Sequence, residues 1–283
     1  MKRDGLTAAE VEAFERDGFL LVEDVLEDSE RTRYGQAVDQ AVRGRAGSDG
    51  RSLEDKTVYE QSFVQCINLW EDCLDVRALC FDPVLGGMAA ALLGVDGVRI
   101  WHDQALYKEA GGRVTDPHQD RPFWPITPAS QVTAWIPFDG SARDAGAMYY
   151  VPGSHRLDLE KFVDISHTFQ PEPYDILRDP KVRDIEPVRV EAPPGSVVFH
   201  HCLTVHGADA NLTSDLRRVY CIIYFADGCT RSSPFPHQTV DRQKTAVGEQ
   251  IAGEVTPLAF PREPGELPPT PPGRPPRVGF AGG

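Results

Sequence analysis

Nowhere in this 283-residue chain do about 18 apolar residues follow one another, the length a membrane-spanning helix needs. No charged start is followed by an apolar stretch either, so no secretory leader is expected. Positive charge is scarce: 29 Lys and Arg stand against 43 Asp and Glu, a net of −14. That balance argues against nucleic acid or an anionic membrane surface as a partner. It also weighs against a bulky polyanionic substrate such as a coenzyme A thioester, although a local basic groove can sit on an acidic protein. None of the six cysteines forms a C-x-x-C pair, so zinc-ribbon and thioredoxin-like readings lack support. A cytoplasmic protein with reduced thiols is expected, monomeric or homodimeric, with a small-molecule partner. Cys66, Cys73 and Cys80 recur every seven residues, which would line one side of a helix and bury there. There is no internal repeat.

With 41% hydrophobic and 25% charged residues, the chain has the composition of a globular domain with a sizeable core. Thr7-Ala8-Ala9-Glu10 reads as a capping box that starts a helix near residue 8, followed by a strand over Phe19 to Val22. A second helix starts at Leu26 to Glu30 and runs to about Arg43, Gly44 to Lys56 is loop, and Asp82-Pro83 opens a helix to about Leu93. From Val98 onward, short apolar or alternating runs cover 98–108, 131–138, 147–151, 187–191, 196–206 and 217–226, separated by turn residues. Regular short strands of this kind predict a mainly β fold with flanking helices: a two-sheet jelly roll, the double-stranded β-helix of cupin-like proteins. Residues 1–262 are expected to form that single domain. The interval 156–186, with Phe162, Phe169 and Tyr174, is too long for a plain connection and reads as a lid. Residues 263–283, rich in proline and glycine, read as a flexible tail.

The chemistry concentrates in His118-Gln119-Asp120 and in a distant His206. On a strand, residues two apart share a face, so His118 and Asp120 would point the same way. Two imidazoles and a carboxylate occupy one face of an octahedral ion and leave positions open for a co-substrate and dioxygen. Such a donor set suits Fe(II), and zinc accepts the same ligands. Arg217, eleven residues past His206, starts the strand after the turn Asn211 to Asp215, which would return it beside the metal. Its planar fork matches a carboxylate bidentately. Arg218 should face the other side of the sheet.

Around these residues the stretch Arg99 to Lys108, Trp135 in Thr133-Ala134-Trp135-Ile136-Pro137, the block Val151-Pro152-Gly153-Ser154-His155-Arg156 and the opening Phe14 to Val22 occur in a fixed order. Together they resemble the phytanoyl-CoA dioxygenase family from about residue 9 to residue 227. The resemblance implies an Fe(II)- and 2-oxoglutarate-dependent dioxygenase: iron on His118, Asp120 and His206, and 2-oxoglutarate salt-bridged to Arg217 with Gln104, Trp135 and Ala208 around it. Ala208 departs from a hydroxyl residue often found at that position, so one hydrogen bond to the co-substrate is expected to be missing. Lys108 aligns with a frequent lysine of the family, and a solvated charge at the strand end is the alternative reading. The resemblance further implies hydroxylation, with halogenation disfavoured because Asp120 is present; ring closure, desaturation and epoxidation use the same machinery. A non-catalytic cupin-like binding module and a hydrolytic zinc enzyme are the rival readings, and neither accounts for Arg217.

Substrate contacts are expected from Phe63, Gln65, His102, Phe123, Trp124 and Phe225, which would ring the open face of the metal. His102 shares a strand face with Gln104, so a pocket role and core packing are both open. His155 reads as structural, and His200 and His201 as neighbours that support the site or pack beside it. The abundance of alanine, glycine, arginine and proline fits a GC-rich bacterial source. A specialised metabolite is therefore the preferred substrate over a fatty acyl thioester.

Overall fold

The computed structural model describes residues 1–47, 49–170 and 172–273. Thr7 and Glu10 form a reciprocal capping box on α1 (Ala8–Asp17), and Gly18, in the left-handed region at φ 82°, turns the chain into β1 (Phe19–Val22). Helix α2 (Asp28–Ala46) continues past Arg43, and α3 (Val58–Ser62) leads into β2 (Val64–Ile67), a strand the sequence pattern did not reveal. Next come α4 (Leu74–Cys80) and α5 (Pro83–Leu93), the latter capped by Asp82. Leu74–Leu93 is apolar enough by composition to cross a membrane, but it breaks at Phe81–Asp82 and is mostly buried against the domain. The sevenfold cysteine spacing does not describe a helix face. Cys66 lies on β2, Cys73 precedes α4 and Cys80 ends it, because the intervening residues turn through Asn68, which takes a left-handed conformation at φ 57°.

The remaining strands are β3 (Val98–Lys108), β4 (Thr115–His118), β5 (Ile126–Thr127), β6 (Gln131–Pro137), β7 (Met148–Tyr150), β8 (Val188–Val190), β9 (Val197–His201), β10 (His206–Ala208), β11 (Arg217–Ala226), β12 (Thr230–Arg231) and β13 (Leu258–Phe260), with a short α6 (Gln238–Asp241) after β12. They make a jelly roll. The large sheet runs β1-β9-β6-β11-β3-β13 with β2 beside β3, and the small sheet runs β4-β10-β7-β8. The segment 196–206, expected as one strand, divides into β9 in the large sheet and β10 in the small one. The turn at residues 202–205 carries the chain from one sheet to the other, and this crossing puts His206 opposite β4.

Alternation along β11 sorts the core. Tyr220, Ile222 and Tyr224 pack outward under α2 and α5, while Val219, Cys221, Ile223 and Phe225 pack inward with Met148 and Tyr150 of the small sheet. On β3 the register against β11 jumps from His102–Ile223 to Ile100–Tyr224, which leaves Trp101 as an extra residue. This bulge turns both Trp101 and His102 inward. Within 156–186, Leu159, Val163, Ile165, Ile176 and Val182 pack with Val151 and Val205 as a third small core.

The start of the tail departs from the expected flexibility. Pro268 is buried and Leu267 packs on the helix-side core. The buried Arg77 guanidinium explains the docking: it donates to Trp70 O and Glu71 O nearby, and to Pro268 O at 3.3 Å and Thr270 Oγ1 at 2.7 Å. Residues 274–283 lie outside the described residues.

Candidate active site

Strand pairing brings two imidazoles together. His118 ends β4 directly opposite His206, the first residue of β10. Asp120 joins them by a route other than the strand face expected, because the strand stops at His118 and Asp120 takes helical angles, φ −72° and ψ −38°, before the short 3-10 turn Arg121–Phe123. One ligand atom from each of the three lies within 4.8 Å of the others. Asp120 Oδ1 is 3.7 Å from both Nε2 atoms. The Nδ1 atoms are engaged elsewhere, with Asp116 O at 2.7 Å for His118 and Thr204 O at 2.9 Å for His206. Each ring therefore carries its proton on Nδ1 and aims the Nε2 lone pair inward, as a metal ligand must.

Burial holds His118 and His206 neutral, with pKa values pushed down to about 4, helped by His206 for His118 and by His200 for His206. Burial alone would raise the Asp120 carboxyl, but the imidazoles of His206 and His200 overcome it and hold it below the usual carboxylate range. The second Asp120 oxygen accepts from Thr133 Oγ1 at 3.3 Å and faces His200 Nε2 at 3.4 Å, so Oδ1 stays turned toward the histidines. Gln119, between the two ligands, donates to Leu159 O and Leu203 O, both at 2.6 Å, and accepts from Lys161 N. That side chain ties the ligand turn to the 156–186 segment.

Beside the triad, β11 delivers Arg217 to the inner face and Arg218 to the outer one, as alternation requires. Arg218 pairs with Asp139 at 2.8 Å and with Asp39 of α2. Arg217 is 6% exposed, donates to Gly146 O at 2.6 Å, and lies with its guanidinium 5.5 Å from the Trp135 ring. No carboxylate pairs with it among the described residues, its Nε is buried without a partner, and burial lowers its pKa to about 10. A buried guanidinium aimed into a cavity without a counter-charge is a fitted place for a carboxylate. Lys108, its register partner on β3, is also buried, pushed down to about 6 by burial and by Arg217, and donates to Arg113 O and Thr115 Oγ1.

The triad, Thr133, His200 and Arg217 line one cavity of about 920 Å³, and Lys108 lies behind its wall. Gln104, Trp135 and Ala208 line it with Arg217, and so do Phe63, Gln65, His102, Phe123 and Trp124. Gln65 Nε2 donates to Gln104 Oε1 at 2.6 Å across the β2–β3 pair. Phe225 does not line the cavity. It is fully buried and packs edge to face on Trp101 at 5.8 Å, the tryptophan that the β3 bulge turns inward. His155 and His201 also stay outside, ring centroids 5.5 Å apart, while His200 lines the cavity.

The sequence reading passed over several wall residues. Thr133 stands two residues before Trp135 on the same strand face, and that alternation was the available signal. Thr115, register partner of Ala208, sets a hydroxyl on the wall beside the position where one was expected to be missing. Phe235, Pro236, His237, Gln238 and Asp241 line the cavity from the far C-terminal region, and nothing local announces them.

Two histidines and a carboxylate at the mouth of a jelly roll, beside a buried unpaired arginine, define the site of a non-haem metal oxygenase. Residues 14–219 match the family described as phytanoyl-CoA dioxygenase (PhyH). The chain belongs to that family, and its fold and donor set are those of a 2-oxoglutarate-dependent dioxygenase. It is 24% identical over 247 residues to a probable phytanoyl-CoA dioxygenase of Caenorhabditis elegans, covering 80% of this chain and 77% of that protein. It is 27% identical over 136 residues to a probable alpha-ketoglutarate-dependent hypophosphite dioxygenase of Stutzerimonas stutzeri, and there the match spans 46% of each protein. Among solved structures it superposes on the non-heme alpha ketoglutarate dependent carbocyclase SnoK from nogalamycin biosynthesis with a TM-score of 0.73, at 26% identity, over 89% of this chain and 96% of SnoK.

Proposed function

We propose that this protein is an Fe(II)- and 2-oxoglutarate-dependent dioxygenase that hydroxylates a small specialised metabolite. His118, Asp120 and His206 would hold the metal. Arg217 would hold the distal carboxylate of the co-substrate, with Trp135 beneath the guanidinium and Gln104, Thr115 and Ala208 on the adjoining wall. When bound, iron and 2-oxoglutarate supply the oxidising power, consuming dioxygen and releasing carbon dioxide and succinate as a substrate C–H bond is oxidised.

The chain's own contribution is placement and dryness. Asp116 O and Thr204 O keep the imidazole protons off the metal side, and Thr133 with His200 orients Asp120. Phe162, Ile165 and Phe169 reach the cavity from 156–186, which supports reading that segment as a lid that keeps water from the site. As a metal ligand, Asp120 would take the position a halide would need, which supports hydroxylation over halogenation. A cytoplasmic location belongs to the same proposal and fits six cysteines that are all free thiols.

The observation that carries the reading is the buried, carboxylate-free Arg217 beside the triad. A metal-binding module without turnover or a hydrolase has no use for it. Dialysis of the purified chain against Fe(II) and 2-oxoglutarate should give one of each per chain, and 2-oxoglutarate affinity should depend on the metal. Metal bound with no affinity for 2-oxoglutarate would remove the oxygenase reading and leave the binding module.

A further inference from the structure

Apart from the groups assigned to metal and co-substrate, the cavity presents a second polar feature: the imidazoles of His102 on β3 and His237 at the start of α6. Their rings lie 5.8 Å apart and nearly parallel, at 24°. His237 also stacks on Trp101 at 4.6 Å, and His102 meets the edge of Trp124 at 6.1 Å. Each is only 6% exposed. His237 Nδ1 accepts from Thr239 N at 3.2 Å and so caps α6, which leaves Nε2 to carry the proton of the neutral ring as a donor. His102 Nδ1 is buried with no hydrogen-bond partner. The α6 wall is anchored as well, since Thr239 Oγ1 donates to Trp101 O at 3.0 Å and Asn68 Nδ2 to Gln238 Oε1 at 3.1 Å.

Charge narrows what this feature can bind. Among the described residues Arg217 is the sole Lys or Arg on the cavity wall, and the Asp241 carboxylate is paired with Arg231 at 2.8 Å. Many of the other side chains around the site are aromatic, Phe63, Phe123, Phe162, Phe169 and Phe235 among them.

We propose that His102 and His237 form a recognition subsite for a hydroxyl or carbonyl group on an uncharged, largely apolar, ring-bearing substrate. The proposal rests on the oxygenase reading for its premise that the substrate occupies this cavity. A carboxylate or phosphate would need a positive partner, and Arg217 is committed to the co-substrate. Burial keeps both imidazoles uncharged, with His102 pushed down to about 4. A substrate hydroxyl or carbonyl oxygen instead accepts from Nε2–H of His237, and a hydroxyl can in addition donate its own proton to an imidazole lone pair. Aromatic walls favour a ring over a flexible alkyl chain. Residues 235–241 lie beyond the 14–219 match, so the subsite joins a strand inside the family region to a segment outside it.

The test is calorimetric binding of 2-naphthol, naphthalene, 2-naphthoate and octanoyl-CoA to the chain loaded anaerobically with Fe(II) and 2-oxoglutarate, and again without them. The wild type should bind 2-naphthol at least tenfold more tightly than each of the other three. His102→Phe should lose about tenfold for 2-naphthol, keep its affinity for naphthalene, and melt no lower than the wild type, since the Nδ1 it removes has no partner. His102→Gln, which retains hydrogen-bonding groups, should fall between. Preference for 2-naphthoate or octanoyl-CoA, failure of every probe to bind, or equal loss of 2-naphthol and naphthalene in His102→Phe overturns the proposal. Failure of the oxygenase reading would show separately, as absent Fe(II) and 2-oxoglutarate binding by the wild type.

Discussion

His118 and His206 are register partners across the antiparallel β4–β10 pair, with ring centroids 4.4 Å apart. Backbone pairing within the small sheet therefore sets the distance between the two imidazoles. Only Asp120 arrives by a turn, and Gln119, Thr133 and His200 restrain that turn. The donor set is thus held by the chain's own backbone pairing and hydrogen bonds, at the cost of placing two neutral imidazoles and a carboxylate out of water.

Replacing His206 with Ala should abolish iron retention and turnover while leaving the fold intact, because the side chain bonds only one carbonyl. Iron per chain, measured after gel filtration, checks this. Wild-type stoichiometry in the variant would remove His206 from the site.

For Arg217→Ala, 2-oxoglutarate affinity should fall about tenfold to a hundredfold, the worth of a charge-assisted contact of roughly 1.5 to 3 kcal/mol. Arg218→Ala should leave that affinity unchanged, since its partners Asp139 and Asp39 lie on the helix side. Titration calorimetry of both variants decides between them, and the reverse pattern would mean the co-substrate binds elsewhere.

Asp120→Gly opens a coordination position but deletes one of three protein ligands. The variant should hold iron weakly, lose hydroxylation, and yield a chlorinated product in trace at most, even in high chloride. Product analysis at saturating iron is the check, and efficient hydroxylation there would contradict the ligand assignment.

The metal-free protein should lose stability as pH falls from about 6.5 to about 4. His102 and His201 are pushed down to about 4 in the fold by burial, whereas an unfolded imidazole titrates near 6.5. Within that window the unfolded chain binds protons the fold does not, so the stabilisation is complete above the window and is lost on acidification. Thermal melts at pH 7.5 and 5 should show a smaller drop for His102→Phe than for the wild type. Equal drops would show that His102 titrates normally.

Truncation after Glu266 strips Pro268 O and Thr270 Oγ1 from the buried Arg77 guanidinium. Stability should fall by roughly 1 to 3 kcal/mol, read as a lower melting temperature with iron binding retained. An unchanged melting temperature would mean that water replaces both acceptors.

Local periodicity made much of the β scaffold legible in the sequence. Alternation along 98–108 and 217–226 marked β3 and β11, and the same alternation separated Arg217 from Arg218 before any contact was known. Residue chemistry likewise singled out His118, Asp120 and His206, since few side-chain sets combine two imidazoles with a carboxylate two positions from one of them. Tertiary structure decided what periodicity cannot carry. A one-residue bulge on β3 brought Trp101 inward against Phe225, which keeps its inward face on β11 but packs against that tryptophan instead of lining the cavity. The division of 196–206 between two sheets set His206 opposite His118, and a turn rather than a strand delivered Asp120. His237 reached His102 across more than a hundred residues of chain, and Arg77 captured the tail at Pro268 and Thr270. Each of these depends on which distant backbone supplies a partner for a buried polar group, and pairing of that kind is settled only when the whole chain has packed.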